Sequence, residues 1–540
     1  MKISILLTGI LLTGISAFAQ DSIRKKEVNV TSTFKPSLKE AAKININATP
    51  PTPDTTRPRL QYTLPNQNLS FVFQPGTLKP LALAVDTGGR WDNDSYAKIG
   101  YGSFKTPFIQ AGLSVGDGKT MGLNAYAKHY SSKGKIYLQD VMHTNIDLKA
   151  FFQTAKNLEW NVAFGGEQEK YNKFGYEPNT LLFPEDSIYV KFQWWKGSLG
   201  FHNINRTSLG LSYSPEMRID VLNDQLGNTE NNSYVNLPLK KTIGTDFEAN
   251  VGIEANLARF KPEGKSQVKN DFVSLGVSLL YKTGNAYIVG GVKPSWDNSE
   301  FKLLPTVMVE ASTSDNRFSI QAGWLGHFRS SGYQYMARMN PWVWAPETIY
   351  NSRIDERYAG LKGSAGDHFS YSAKIAYNRV TNQPLFINDF ESGKSFAVLN
   401  EPELKIMNFS GELGYTVGEK FSVISNLAFN QFKTKEHDKA WGLVPLEWNT
   451  TMQVQVLKDL YAKVGLYAFD GPWSLTKDGR KNLQGAMDLS GGLEFKIVEH
   501  VKLWAQFNNI LNKEYQRWNQ YPTYGFNFLG GVVFSFAQKN

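Results

Sequence analysis

The dominant pattern of the chain is an alternation of apolar and polar positions with a period of two, which runs from about Leu78 to Phe536. Residues 109–115 and residues 247–257 show it clearly, because apolar side chains occupy every second position and polar or small ones the positions between. Many such runs of about ten residues are separated by short turns. The pattern predicts about 20 antiparallel strands, within a range of 16 to 22, that form an all-β protein.

The polar face of these strands decides between a membrane barrel and a soluble sandwich or propeller. It carries charged side chains that a dry protein core would not accommodate. A closed transmembrane barrel accommodates them in a wet lumen, with its apolar face against lipid and every backbone hydrogen bond satisfied. We therefore predict an outer-membrane β-barrel. Five side chains are candidates for the lumen-facing set: Glu248, Glu254, Lys128, Lys374 and Lys463. They could bias solute passage, or they could simply pair with one another and solvate the interior.

Composition supports this prediction and excludes several classes of protein. Aromatic residues make up 13% of the chain and charged residues only 20%, and rings such as Trp194, Trp195, Trp448 and Tyr461 are expected to form girdles at the membrane interfaces. The chain contains no cysteine, which excludes disulfides, thiolate metal sites and a lipoprotein anchor. The net charge of +9 comes from scattered residues, so a nucleic-acid partner is not expected.

The first 76 residues differ from the rest. Lys2, an apolar run over residues 3–15 and the small residues of Ser16-Ala17-Phe18-Ala19 predict a signal peptide over residues 1–19. The alternative, a membrane anchor, needs a longer apolar run. Residues 20–76 are rich in proline, which predicts an extended segment that lies in the periplasm or fills the lumen. The barrel is then expected over residues 77–540.

Turn lengths predict the orientation of the barrel. The short turns at residues 116–119, 458–459 and 498–500 are expected at the periplasmic end, and longer extracellular stretches at residues 168–185, 215–243 and 330–352. The last of these is rich in rings, so it could present a contact surface for a partner or fold into the barrel mouth and pack on itself. Its partner-contact candidates are Tyr333, Tyr335, Trp342, Trp344 and Tyr350.

The C-terminal 40 residues resemble the closing hairpin of TonB-dependent receptors. The segment Asn509-Ile510-Leu511-Asn512-Lys513-Glu514-Tyr515 is similar to that family's "NLxNKxY" segment, and Pro522, Gly525 and a last strand follow it. The resemblance implies an outer-membrane barrel whose last strand is read by the outer-membrane assembly machinery. The residues that would carry this signal are Tyr524, Phe526, Phe528, Val532, Phe534 and Phe536. Four residues follow Phe536, whereas the family usually ends at the aromatic residue.

Near the N-terminus, Val28-Asn29-Val30-Thr31 is similar to the short box by which such receptors engage TonB. These receptors also carry a plug domain inside the barrel, and residues 20–76 are too few to form one. The resemblance therefore implies barrel architecture and outer-membrane location, but not the energised release of a plug.

Three functions are consistent with the sequence. The chain could transport a solute, with residues 20–76 as a reduced stopper. It could instead be a non-transporting scaffold of an outer-membrane assembly or secretion complex, bound to other outer-membrane or periplasmic proteins. A barrel enzyme is the third, but the sequence shows neither a nucleophile elbow nor a phosphate loop, and no two of its seven histidines have metal-ligand spacing. We therefore predict a multi-pass outer-membrane protein in contact with lipid and lipopolysaccharide, without catalytic, cofactor-binding or metal-binding residues, and favour transport.

Overall fold

The computed structural model describes residues 95–178, 180–418 and 420–536. These residues form a closed, antiparallel β-barrel of 22 strands, which confirms the predicted fold class and lies at the upper end of the predicted strand range. The predicted signal peptide, the Pro-rich segment, the TonB-box-like residues Val28, Asn29, Val30 and Thr31, and residues 77–94 lie outside the described part of the chain.

The strands follow one another around the barrel in chain order. In that order they are β1 Ser95–Gly102, β2 Thr106–Gly116, β3 Met121–Ser132, β4 Val141–Thr154, β5 Leu158–Asn172, β6 Tyr189–Asn203, β7 Leu211–Tyr213 continued as Glu216–Asp224, β8 Thr229–Ile243, β9 Phe247–Lys261, β10 Val268–Thr283, β11 Ala286–Asp297, β12 Glu300–Ser312, β13 Phe318–Ser331, β14 Tyr350–Ala365, β15 Phe369–Asn388, β16 Phe396–Val417, β17 Phe421–Lys433, β18 Leu446–Leu457, β19 Leu460–Phe469, β20 Ala486–Val498, β21 Val501–Asn508 and β22 Asn527–Phe536.

The first and last strands close the barrel. Strand β22 pairs antiparallel with β1, with Ser95 opposite Phe536 and Gly102 opposite Leu529. The even strand count brings both ends of the described barrel to the same rim. The three predicted short turns lie at this rim, the periplasmic one, and the long connections lie at the opposite, extracellular rim. The chain is thus a multi-pass outer-membrane protein.

Alternating side chains divide each strand between lipid and lumen. On β9, Phe247, Val251 and Ile253 are each more than 40% exposed on the outer face. Asn256, on the same strand but on the inner face, is buried. The apolar face therefore points to the acyl chains of the membrane, and the polar face points into the barrel interior.

One predicted loop is wrong. Residues 215–243 form most of β7 and all of β8, joined by a short connection at residues 225–228. Pro215 lies in the break of β7, and Pro238 pairs with Gly252 across β8 and β9. Among the polar residues of this stretch, Glu230 and Asn232 face the barrel interior and are buried there.

The helices are short. They comprise a 3-10 turn at Ser103–Lys105, α1 at Glu185–Ile188 and α2 at Tyr333–Met339. Among the described residues, none is long and apolar enough to cross a membrane. Two small hairpins lie in the extracellular loops: Trp473–Thr476 pairs with Gly479–Asn482, and Gln516–Trp518 pairs with Tyr521–Pro522.

Candidate functional site: a lid over the lumen

Two extracellular segments fold inward over the barrel mouth, and we call residues 332–349 and 509–526 together the lid. Their apolar side chains pack against the upper barrel wall and form the largest buried cluster of the described residues. The lid contributes Tyr333, Met336, Ala337, Met339, Val343, Ile349, Trp518 and Tyr521; the wall contributes Val190, Phe192, Trp194, Leu222, Ala258, Phe260, Phe386 and Phe396. Met336 is fully buried at its centre. This cluster covers part of the mouth with a packed apolar layer.

A stack of rings joins the two halves of the lid. Trp342 and Tyr521 lie parallel, with ring centroids 3.8 Å apart, and Phe174 meets Tyr521 edge-on at 5.0 Å. The Trp342 indole donates a hydrogen bond to the Asn172 carbonyl at the end of β5, and the Tyr521 hydroxyl donates one to the Lys394 carbonyl. Each ring is therefore fixed at both its face and its polar end.

An ion pair fastens helix α2 to the lumen wall. The guanidinium of Arg338 contacts Glu167 and lies 3.8 Å from a carboxylate oxygen of Glu169, both on β5. It also stands over the Trp194 ring at 3.8 Å. We call Arg338, Glu167 and Glu169 the latch. Burial by itself lowers the pKa of Arg338, but the hydrogen bond and charge of Glu167 outweigh it and leave the pKa above its ordinary value.

His143 lies beside the two carboxylates of the latch. Its Nδ1 lies 3.4 Å from Glu169 and 3.7 Å from Glu167. One ligand atom from each of these three residues lies within 4.8 Å of the others, a set that a divalent cation could use. The Arg338 guanidinium already contacts both carboxylates, so the cluster is an anchor for α2 in this conformation.

The start of α2 has its own polar anchors. The Tyr333 hydroxyl donates to Asp224 at 2.7 Å, and the backbone N–H of Gln334 donates to the buried carboxylate of Glu230 at 2.7 Å. Gly332 makes this approach possible, because a Cβ there would lie 2.2 Å from a carboxylate oxygen of Glu230. Helix α2 is therefore held at both ends.

A cavity of about 410 Å³ lies beneath the lid, on the side of β18–β21. Its roof includes Trp342, Trp518 and Tyr521, and its walls carry amide and hydroxyl groups from the barrel strands. We call it the lid cavity. Its volume is within the range of small-molecule sites, about 300–1,000 Å³.

The structure places all five lumen-facing candidates on the inner face. Lys374 pairs with Glu356 at 2.8 Å, and Glu254 pairs with Lys293 at 3.4 Å. Lys128 lies over the Tyr130 ring at 5.0 Å, and Lys463 lines the lid cavity. Glu248 lies on the same side of β9 as Glu254. At least two of the five are thus cross-paired in the wall, and only Lys463 belongs to the cavity lining.

The five partner-contact candidates divide into buried and exposed rings. Tyr333 is buried in the apolar cluster, Trp342 is stacked on Tyr521, and Tyr335 lies under the Arg329 guanidinium at 4.5 Å. Trp344 and Tyr350 are 54% and 42% exposed. The loop is thus folded into the barrel mouth, and only Trp344 and Tyr350 offer a large area to a partner.

The C-terminal candidates occupy two environments. Phe526, Phe528, Phe534 and Phe536 are exposed on the outer face, and Val532 is half-buried on the same side. Tyr524 precedes β22 and instead lines the lid cavity, where its hydroxyl donates to the Gln139 carbonyl at 2.6 Å. Trp194 also differs from expectation: it points inward beneath Arg338 rather than into an interface girdle.

Sequence reasoning missed the latch and most of the cavity lining, including Arg517. The two carboxylates of the latch could have been placed beside His143 by pairing the hairpin of β4 and β5 across its turn, since His143 lies opposite Glu169 and Glu167 follows the same face. Arg338, from a distant loop, could not. Arg517 gave no signal, because nothing in its local sequence shows that the last extracellular loop folds into the mouth.

The architecture is that of a 22-stranded outer-membrane β-barrel. No family model and no curated protein matches the sequence. Similar solved structures include the FrpB iron transporter from Neisseria meningitidis, at 11% identity and a TM-score of 0.62, over 82% of this chain and 81% of that one. They also include the copper transporter OprC, at 15% identity and a TM-score of 0.60, over 82% of each chain. The siderophore receptor PiuA from Acinetobacter baumannii matches at 11% identity and a TM-score of 0.61, again over 82% of each chain. At these identities the likeness establishes the fold alone.

Proposed function

We propose that the chain is a transport barrel, which admits a small solute across the outer membrane when its lid opens. The observation that carries this proposal is the lid itself, a packed roof above a polar cavity that lies inside the barrel. A 22-strand barrel is wide enough for an aqueous channel unless something covers or fills it. A lid anchored by a few specific contacts can switch the barrel between a covered lumen and an open aqueous channel.

The similar solved structures also support a transport function. The similar barrels are described as iron and copper transporters and as a siderophore receptor. The lid cavity combines polar walls with an apolar roof, and a site that binds a solute on its way through the barrel is expected to combine the two. Residues 20–76 would fold into the lumen as a reduced stopper, and the TonB-box-like residues 28–31 would engage TonB without the energised release of a plug.

The alternative is a non-transporting scaffold of an outer-membrane assembly. The exposed rings of Trp344 and Tyr350 at the rim favour it, because rings of this kind are typical of protein contacts. In that case the lid would be a permanent seal.

Two measurements on the purified protein separate these functions. Conductance in planar bilayers is compared between the full chain and a variant without residues 20–76. Large currents after the deletion support a transport barrel with a stopper. Silence from both forms, together with a stoichiometric partner after purification in mild detergent, supports the scaffold.

A further inference from the structure

The lid cavity contains a buried positive charge that the described residues do not neutralise by contact. Arg517 is only half-buried as a whole residue, yet its Nε and Nη1 are shielded from solvent and have no hydrogen-bond partner among the described residues. Its guanidinium stacks on the Trp518 ring at 4.5 Å, which fixes the plane of the fork but satisfies none of its N–H groups. Shielded donors without acceptors are costly, so an acceptor from outside the described residues is expected there.

The acidic groups of the lining do not supply that acceptor. Asp488 accepts hydrogen bonds from the Tyr515 hydroxyl at 3.0 Å and from Ser490 at 3.2 Å. Asp140 is exposed and accepts from the Asn172 amide at 3.4 Å. Burial lowers the pKa of Arg517, and the nearby Tyr467 and Glu447 only partly offset this effect. The cavity wall also contains a second cationic side chain, Lys463. The cavity therefore favours an anion at the Arg517 fork.

The rest of the lining favours a polyhydroxylated molecule. Amide and hydroxyl side chains line the wall of β18–β21 and the start of β22: Asn449, Thr451, Gln453, Ser490, Gln506, Asn508 and Asn527. Rings form the opposite side, among them Trp342, Trp518 and Tyr521. Amides and hydroxyls offer both donors and acceptors, which match the hydroxyl groups of a sugar. Aromatic faces pack against its C–H surfaces.

We propose that the lid cavity binds an acidic sugar of one or two rings, whose carboxylate or phosphate is held by the fork of Arg517. Bidentate pairing with a guanidinium suits either oxyanion. The volume of about 410 Å³ suits a ligand of this size. This inference deepens the proposed transport function and rests on it, since it identifies the solute held before passage.

The test is equilibrium dialysis of the purified full-length protein against radiolabelled glucuronate, glucose and glucose 6-phosphate. We expect glucuronate to bind at least about ten-fold more tightly than glucose, because a charged hydrogen bond is added. Stronger binding of glucose 6-phosphate than of glucuronate would assign the oxyanion as phosphate. Equal affinities for the charged and neutral sugars would overturn the inference.

Three variants locate the binding. Arg517→Gln should lower glucuronate affinity about ten-fold or more and leave glucose affinity unchanged, while Arg517→Lys, which keeps the charge without the fork, should fall between. Arg480→Gln is the control, because Arg480 is exposed in another extracellular loop and should not alter binding. Unchanged glucuronate binding by Arg517→Gln, or an equal loss in Arg480→Gln, would overturn the assignment. Gel mobility before and after heating checks that each variant is folded.

The outcomes remain distinct from those of the conductance experiment. Glucuronate binding without currents would leave the site intact and refute transport. Currents without preference for acidic sugars would leave transport intact and refute this site.

Discussion

Opening of the lid should depend on the latch, and the substitution Arg338→Met tests this. The variant keeps most of the apolar stem but leaves Glu167 and Glu169 without their guanidinium. Because the side chain of Glu169 is only 4% exposed and that of Glu167 19%, the two carboxylates remain largely desolvated in the closed lid. Breaking a fully buried pair costs about 3–5 kcal/mol, so we expect about 2–3 kcal/mol for this partly exposed one.

The lost stacking on Trp194 adds to this effect. The guanidinium lies 3.8 Å from the ring centroid, and such contacts contribute about 0.5–2 kcal/mol. A total of about 3 kcal/mol corresponds to a rise of about 150-fold in the ratio of open to closed lid. The direction follows from the closed state alone, since in the open lid both carboxylates are hydrated.

Cysteine labelling on intact cells measures this ratio, because the natural chain has no cysteine. Met336→Cys places a thiol in the centre of the buried cluster, where a membrane-impermeant maleimide reaches it only after opening. We expect the labelling rate of Met336→Cys to rise about 100-fold when Arg338→Met is added.

The matched control is Arg357→Met. Arg357 also pairs with a carboxylate, Asp355 at 3.5 Å, and also stands over a tryptophan, Trp324, but it is 55% exposed on the outer face. Such a pair contributes at most about 1 kcal/mol, so labelling should change less than about five-fold. Equal labelling rates with and without Arg338→Met would refute the latch.

Three further predictions follow from the same structure. Tyr521→Ala should increase Met336→Cys labelling at least ten-fold, since it removes a buried ring worth about 3–5 kcal/mol, whereas Tyr137→Ala, at an 81% exposed ring, should not; comparable rates in both would contradict the role of the stack. Lys173 lies beside the lid, with its Nζ over the Trp344 ring at 5.5 Å. Burial, aided by repulsion from Lys394, lowers the pKa of Lys173 to about 8, so the closed state binds fewer protons than the open one above that pH and should become more stable between pH 8 and about 9.5. Labelling normalised to a Tyr137→Cys reference should therefore slow over this interval and lose the trend in Lys173→Met; a trend that persists in that variant would exclude Lys173. Val251→Arg should destabilise the barrel by about 2–4 kcal/mol through its lipid-facing charge, while Asn250→Arg, on the inner face, should change stability much less; urea unfolding in detergent or lipid measures both, and equal losses would contradict the assignment of faces.

The barrel wall could be predicted from the sequence because each strand reports its own faces. Ile109, Leu113 and Val115 alternate with polar or small neighbours, and all three are exposed on the outer face. The period of two is a local property, and lipid outside with water inside preserves it along the whole strand. An even number of strands then allows the first and last strands to pair antiparallel, as Ser95 and Phe536 do.

The lid could not be predicted in the same way. Trp342 and Tyr521 are far apart in the sequence, and their stacking depends on how two irregular segments meet over the mouth. The lid also covers polar residues of the upper barrel wall, so their polarity does not show that they are exposed. Residues 215–243 are expected from their sequence to form a long extracellular stretch, yet Glu230 and Asn232 within it are buried on a strand beneath α2. A local sequence pattern predicts the surroundings of a strand when one face meets lipid and the other meets water. It does not predict them where other segments of the chain cover the strand.

The central claim, passage of solute through a lumen gated by the lid, is tested most directly by locking the lid. The backbone of Val343 in the lid pairs with that of Phe396 at the start of β16, in a parallel bridge that brings the two positions to about 5 Å, within reach of a disulfide. In the variant that combines Val343→Cys and Phe396→Cys with deletion of residues 20–76, we predict currents across a planar bilayer under reducing conditions and silence after oxidation. Currents of equal size in both states would show that the lid does not gate the lumen, and silence in both would show that the barrel does not conduct.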